Sequence, residues 1–222
     1  MLDKVLGIIA PHHCYSCCVS GTLLCVDCKN NIKDDVFFNC MSCGVGGFIK
    51  NGVCSSCKNI ISRAWVVGAR DGELKELIND YKFSNLYAAY ETLADVLAEL
   101  LPNLPENVVL VPIPTIRRHI RQRGYDHIDL LVRRVSLLTG AEVNKSLVRA
   151  NNAVQLGAGK RQREAQAKIA FKPGGELSAD KIYLLVDDVV TTGATMRNAA
   201  KVLREAGATE VWAAAIVRQP LD

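Results

Sequence analysis

The chain has 222 residues, 49% hydrophobic and 23% charged, with a formal net charge of +4. That length suits one ordinary α/β domain with a small appendage, and the apolar content excludes a disordered chain. No apolar run approaches the roughly 20 residues of a membrane-spanning helix. The apolar stretch 6–10 is too short for a signal-peptide core, so a cytoplasmic, reducing setting is expected. In such a setting nine cysteines argue for metal rather than disulfides.

All nine cysteines fall before residue 60. Cys14-x2-Cys17 and Cys25-x2-Cys28 make one set of four thiols, and Cys40-x2-Cys43 and Cys54-x2-Cys57 make a second. Each pair is a knuckle that points two thiolates at one ion, and two knuckles complete a tetrahedral Zn²⁺ site. Eight thiols leave no open coordination position, so two structural zinc ions are expected and a catalytic one is not. Cys18 is the odd thiol, and spacing alone allows it in place of Cys17. His12 and His13 read as surface residues beside a complete thiol set. Residues 1–60 hold little core of their own, so metal binding should supply much of their folding energy.

Next, Arg63–Ala69 reads as a strand and Gly72–Phe83 as a helix. A second helical pattern over 86–101 is closed by Pro102 and Pro105, and Val108–Pro112 is a short buried strand. It opens into a loop in which Arg117, Arg118, His119, Arg121 and Arg123 fall within seven residues. A helix over 128–138 follows, ended by Gly140. Residues 115–172 hold 13 Lys/Arg against 4 Asp/Glu, a balance of +9 that leaves −5 elsewhere. Such a basic middle fits a polyanion, either pyrophosphate or a nucleic-acid backbone. Residues 149–172 have few apolar positions and no period, and read as a lid. Within them Gly157-Ala-Gly159-Lys160 hints at a phosphate loop. Val154 stands where its first glycine belongs and Arg161 replaces the Ser/Thr, so the nucleotide-triphosphatase reading is rejected.

The stretch Tyr183-Leu-Leu-Val-Asp187-Asp188-Val-Val-Thr191-Thr192-Gly193-Ala-Thr195 is the most informative. A buried strand ends in two acids, a small-residue turn follows, and Met196, Ala199, Ala200 and Leu203 then recur at helical spacing. The turn offers backbone N–H groups at a helix N-terminus, where a phosphate is favoured, and adjacent carboxylates suit the cis hydroxyls of a ribose. A last strand over 210–217 completes a strand–helix–strand unit. In an open parallel sheet, ligands collect beyond the carboxyl ends of the strands, so the loops after Val111 and Val186 should face one crevice.

These thirteen positions resemble the phosphoribosyl-pyrophosphate (PRPP) signature of type I phosphoribosyltransferases. With the paired cysteines, Tyr81-Lys82-Phe83, Val111-Pro-Ile-Pro114, Arg123-Gly124-Tyr125, and Arg149 with Gln155 and Arg163, nearly the whole chain resembles the ComF family. Asp126 and Gln166 depart from that pattern, each standing where the family usually has Asn.

The resemblance implies an open parallel α/β sheet flanked by helices, with a double zinc ribbon over 1–60 and a PRPP-binding domain over 61–222. It implies that Asp187 and Asp188 hold the ribose and that Val189, Val190, Thr191, Thr192, Gly193, Ala194 and Thr195 cradle the 5′-phosphate. Arg123 joins the acid pair as a catalytic candidate, with Arg117, Arg118, Arg121 and Lys82 on the remaining PRPP oxygens and Mg²⁺ bound with the substrate. The implied activity is pentosyl transfer to an unidentified acceptor, and the implied process is DNA uptake in natural transformation, with single-stranded DNA and competence proteins as partners. The rival reading is a non-enzymatic single-strand binder with a relic or regulatory PRPP site. Only Tyr125 and Phe171 offer rings in the basic segment for base stacking. Type I relatives often form homodimers, but no apolar stripe here marks an interface.

Overall fold

The computed structural model describes residues 11–34, 39–46, 49–150 and 171–220. After the cysteine segment, which carries helix α1 (Val26–Asp34), strand β1 (Arg63–Ala69) leads into helices α2 (Gly72–Phe83) and α3 (Ala89–Leu100). Then come β2 (Val108–Pro112), the short helix α4 (Arg117–Arg123), α5 (His127–Thr139) and β3 (Glu142–Val143). Strands β4 (Leu147–Arg149) and β5 (Phe171–Pro173) pair antiparallel as a separate two-stranded sheet. The chain finishes with β6 (Ile182–Val190), α6 (Ala194–Glu205) and β7 (Glu210–Arg218).

The five main strands form one parallel sheet in the order β1–β7–β6–β2–β3. Strands covered on both faces need apolar side chains in both directions, and residues 211–218 of β7 are accordingly all buried. Alternate residues feed two cores. Leu184, Val186, Trp212 and Ala214 face α2, α3 and α5, while Tyr183, Leu185, Ala213 and Ala215 face α6 and the β4–β5 pair. The expected open parallel α/β sheet is present, and its helix on 86–101 proves shorter, starting at Ala89 because Tyr87 and Ala88 make tight turns first.

The cysteine segment straddles the sheet's edge. Cys14, Leu23, Leu24, Cys28 and Ile32 join the first core, whereas Cys40, Met41, Val53, Cys57 and Ile61 join the second. The two four-cysteine groups thus support opposite faces of one sheet, and their apolar residues share cores with the rest of the chain.

Strand β6 runs past the acid pair to Val190 instead of ending there, because β7 stays bonded to it as far as Val190↔Arg218. On the other side β2 stops at Pro112↔Val186. Beyond Val186 the β6 strand has lost one neighbour. The connections also diverge here, since α5 carries β2 outward to β3 on one face and α6 carries β6 to β7 on the other. The gap between β2 and β6 is therefore a topological switch point, where α/β sheets bind ligands.

Candidate functional site

A cavity of about 520 Å³ opens at this switch point. Its wall combines Lys82 and Phe83 from α2, Ile113 to Ile116 after β2, His119, Gln122 and Arg123 from α4, His127 from α5, Arg149 from β4, and Asp187, Asp188, Val189 and Thr195 from the β6–α6 turn. Six separate elements deliver polar groups to one place.

Asp188 is the anchor. It is buried, with Oδ2 2.7 Å from Lys82 Nζ and 3.1 Å from His127 Nε2. Arg123 extends the network, with Nη1 2.8 Å from His127 Nδ1 and Nε donating to the Lys82 carbonyl at 2.8 Å. A guanidinium has only donors, so Nδ1 accepts and Nε2 carries the proton that His127 gives to Asp188. Burial works against the Asp188 carboxylate, but the Lys82 charge and the His127 bond overcome it and hold the group well below the usual carboxylate range. For Asp187 the balance reverses. Burial and the neighbouring Asp188 charge hold its carboxyl well above that range. Its Oδ1 accepts from the Asp188 amide at 2.9 Å. Two adjacent acids thus differ in kind, one held toward its carboxylate form and the other pushed toward its protonated form.

The turn after β6 is shaped for close approach. Gly193 adopts φ 73, and a Cβ there would overlap the Ser42 carbonyl of the Cys40–Cys43 knuckle. Thr191, Thr192, Ala194 and Thr195 are exposed around it, whereas Val190 is buried. Helix α6 begins at Ala194, its N-cap Gly193 has no side chain to offer, and the Ala194 amide donates to Thr192 Oγ1 at 3.4 Å. Of the turn residues, Val189 and Thr195 line the cavity wall itself.

The arginines divide. The segment after β2 is helix α4, not a loop, and a helix turns successive side chains through about 100°. His119, Gln122 and Arg123 face the cavity, while Arg117, Arg118 and Arg121 are exposed and do not line it. The side-chain positions that matter here are i, i+3 and i+4, which the run of arginines conceals. Asp126 is the N-cap of α5. Its Oδ1 accepts from the Ile128 and Asp129 amides at 3.1 and 3.3 Å and from Thr115 Oγ1 at 2.9 Å. Its charge faces a helix N-terminus, where it is favourable.

The two cysteine groups fit a tetrahedral metal. Cys14, Cys17, Cys25 and Cys28 bring their sulfurs within 4.8 Å of one another, as do Cys40, Cys43, Cys54 and Cys57. Cys17–Cys25 and Cys43–Cys54 are each 3.6 Å apart, close to the roughly 3.8 Å edge of a zinc–thiolate tetrahedron. Cys17, not Cys18, belongs to the first group. Backbone amides of Cys25 and Cys54 point at Cys14 and Cys40 Sγ at 3.5 and 3.3 Å. Burial opposes the Cys40 thiolate, but those amides outweigh it and bring its pKa down to about 7, while burial and the neighbouring thiols push Cys57 up to about 12. Four thiols this close cannot all ionise unaided, and a divalent cation removes the conflict.

Comparison with known proteins gives relatives along most of the chain. A family model described as the phosphoribosyl transferase domain matches residues 130–222. Competence protein F of Haemophilus influenzae is 30% identical over 209 residues, covering 85% of this chain and 87% of that protein. The chain belongs to the ComF family. Competence protein ComFC of Streptococcus pneumoniae is 26% identical over 192 residues, covering 86% of this chain and 80% of the relative. The DNA utilization protein YhgH of Salmonella typhi is 36% identical over 114 residues, about half of each chain. Among solved structures, the glutamine PRPP amidotransferase of B. subtilis aligns over 57% of this chain and 25% of its own, at 21% identity and a TM-score of 0.41.

In this ComF-family chain the sequence reading missed His127, His119, Gln122 and Phe83. His127 sits on the apolar face of α5, where a histidine usually reads as core. Its only signal was its place just after the Arg123-Gly124-Tyr125 triplet. Phe83 is 72% exposed at the cavity mouth with the Arg123 guanidinium 5.7 Å from its ring. Arg149 donates to the Pro114 carbonyl at 2.9 Å and lies over Phe171, closing the cavity's far side. The lid expected over 149–172, the Gly157–Lys160 stretch, Gln155, Arg163 and Gln166 fall outside the described residues apart from the lid's two ends. No helix among the described residues is long and apolar enough to cross a membrane.

Proposed function

We propose that the chain binds PRPP in this cavity and acts as a phosphoribosyltransferase-type protein in DNA uptake. The observation that carries the reading is the Asp187–Asp188 pair at the switch point, held by Lys82 and His127 and followed at once by the Thr191–Thr195 turn at a helix N-terminus. Asp187 and Asp188 sit where ribose hydroxyls would meet carboxylates, and the turn where a 5′-phosphate would meet backbone amides. Arg123, Lys82 and Arg149 supply positive charge on the cavity wall for the pyrophosphate. Arg117, Arg118 and Arg121 contribute at longer range, through the potential at its entrance. Mg²⁺ would be held chiefly by the substrate's phosphate oxygens, with Asp187 the protein carboxylate best placed to join them, and would offset the charge of the leaving group.

In this reading the protein positions C1′ of PRPP for attack by a nucleophile, keeps Asp188 ionised to hold the ribose, and lets Asp187 release its proton as the substrate arrives. Catalysis would rest on positioning and electrostatics, with no covalent nucleophile from the chain. We place the metal-binding module at 1–60 and the PRPP-binding domain at 61–222, with Zn²⁺ in both cysteine groups and a cytoplasmic location. The DNA-uptake role rests on the names of the relatives, Competence protein F, ComFC and DNA utilization protein. The exposed Arg117, Arg118 and Arg121 favour a companion role in which single-stranded DNA lies across α4 on its way to other competence proteins. A steep fall of DNA affinity with salt would mark that contact.

Calorimetric titration of the zinc-loaded protein with PRPP and Mg²⁺, beside the Asp187→Asn/Asp188→Asn variant, tests the site. Saturable binding lost in the variant is expected. No binding by the wild type would refute the PRPP reading and leave the DNA-binding role in first place.

A further inference from the structure

The two cysteine groups do not have the same neighbours. The first supports helices, with Tyr15 Oη donating to Asp80 on α2 at 2.6 Å and Lys29 3.7 Å from Asp95 on α3. The second touches the phosphate turn. Ser42, lying between ligands Cys40 and Cys43, is fully buried, and its carbonyl accepts from Arg197 Nη1 on α6. The same nitrogen donates at 3.0 Å to the carbonyl of Thr192. Gly193, the next residue, is packed so closely on Ser42 that no side chain fits between them.

A second arginine completes the contact. Arg218, at the end of β7, is 1% exposed, donates from Nη1 to the Met41 carbonyl, and leaves Nη2 buried without a partner among the described residues. Four thiolates around one Zn²⁺ carry a net charge of −2, and two guanidiniums sit on the knuckle that would bear it. The metal-loaded knuckle therefore supplies both the carbonyls and the field that hold Arg197 and Arg218 in place. Loss of the ion would free the Cys40–Cys43 turn, and the fixed position of the Met41–Ser42 peptide would go with it.

We propose that Arg197 is a positioning residue that couples the Cys40–Cys43–Cys54–Cys57 centre to the Thr191–Gly193 turn, so that metal retention there and PRPP binding reinforce each other. The inference rests on the PRPP reading for its ligand, but the mechanical link between knuckle and turn does not. Coupling between two binding sites is reciprocal in affinity, so PRPP must tighten metal binding by the factor by which the metal tightens PRPP binding, and slower release into a chelator reads that tightening. The first cysteine group, on the opposite face of the sheet, has no contact of this kind among the described residues and should not respond.

The test compares wild type with Arg197→Ala, both zinc-loaded, by amide hydrogen exchange over the first turn of α6, where the Arg197 amide donates to the Gly193 carbonyl at 2.9 Å. The variant is expected to keep two zinc ions yet exchange these amides roughly tenfold faster or more, the worth of one charge-assisted hydrogen bond. In parallel, PRPP should slow release of one of the two zinc ions into a chelator in the wild type and leave both rates alone in the variant. Unchanged exchange in the variant overturns the coupling, and so does saturable PRPP binding that alters neither release rate. A wild type that takes no PRPP, combined with faster exchange in the variant, refutes the substrate reading and leaves the link standing. If Arg197→Ala does not fold, Arg197→Gln, which keeps length and a donor but no charge, is judged by the same exchange and release criteria.

Discussion

Replacing Lys82 by Met would strand the Asp188 carboxylate in the wall of the sheet. The side chains are 16% and 4% exposed and 2.7 Å apart, so little of the carboxylate is open to water. Removing one member of a buried ion pair costs about 3–5 kcal/mol, and the low end, about 3 kcal/mol, applies because His127 Nε2 still reaches Asp188. For a chain of this size each kcal/mol moves the melting temperature by about 2–4 °C, so the variant should melt roughly 6–12 °C below wild type at pH 7. The pH dependence has a definite sign. In the folded wild type Asp188 is held below its unfolded value, so its stabilisation is present above that unfolded value, about 3.9, and is lost as pH falls toward the folded one. The gap between the two proteins should be widest near neutrality and narrow progressively as pH falls below about 4. A double variant, Lys82→Met/Asp188→Asn, carries no stranded charge and should regain most of the loss. Thermal melts followed by circular dichroism across pH 2 to 8 decide the matter. A Lys82→Met protein melting within about 2 °C of wild type at pH 7 would show that the pair is not a buried ion pair at all.

Asp126→Ala should cost about 1 kcal/mol in denaturant unfolding through loss of the α5 cap, while Asp126→Asn, which caps equally well, leaves stability and PRPP affinity near wild type. A large loss of affinity in the Asn variant would instead place Asp126 on the ligand. Gly193→Ala forces a side chain into the Ser42 carbonyl at a left-handed backbone, and should abolish PRPP binding and destabilise by more than about 1 kcal/mol. Calorimetry and a melt read both effects. Metal analysis of the purified protein should find two zinc ions per chain, and Cys57→Ser should remove one. Two ions retained in that variant would break the assignment of the second group. PRPP binding should release a proton from Asp187, whose carboxyl is held high in the free protein, so affinity rises with pH. Titration in buffers of different ionisation enthalpy measures the proton.

Much of the local design was legible because it is written at short range. The cysteine knuckles, the strand 183–186, the helix periodicities and the acid-pair turn are all patterns within a few residues, where spacing and side-chain chemistry already define geometry. Even the α5 helix and its Gly140 stop emerged within a residue of their place. The sequence also set Asp187, Asp188 and Lys82 apart as candidates for one site.

What it could not state is which way residues face once distant segments meet. A cluster of arginines looks uniform in one dimension, and only the pitch of α4 separates Arg123, which enters the cavity, from Arg117, Arg118 and Arg121, which do not. His127 gains its role from lying between Asp188 and Arg123, partners brought in by β6 and α4. The cysteine segment reads as an appendage because its own apolar residues are few. In three dimensions they complete the two faces of the sheet, and Ser42 meets Arg197 across 155 residues of chain. Hydrogen bonds and packing act over a few ångströms, so spacing along the chain fixes them only within a turn or a strand. Every contact between segments waits for the sheet to set their order.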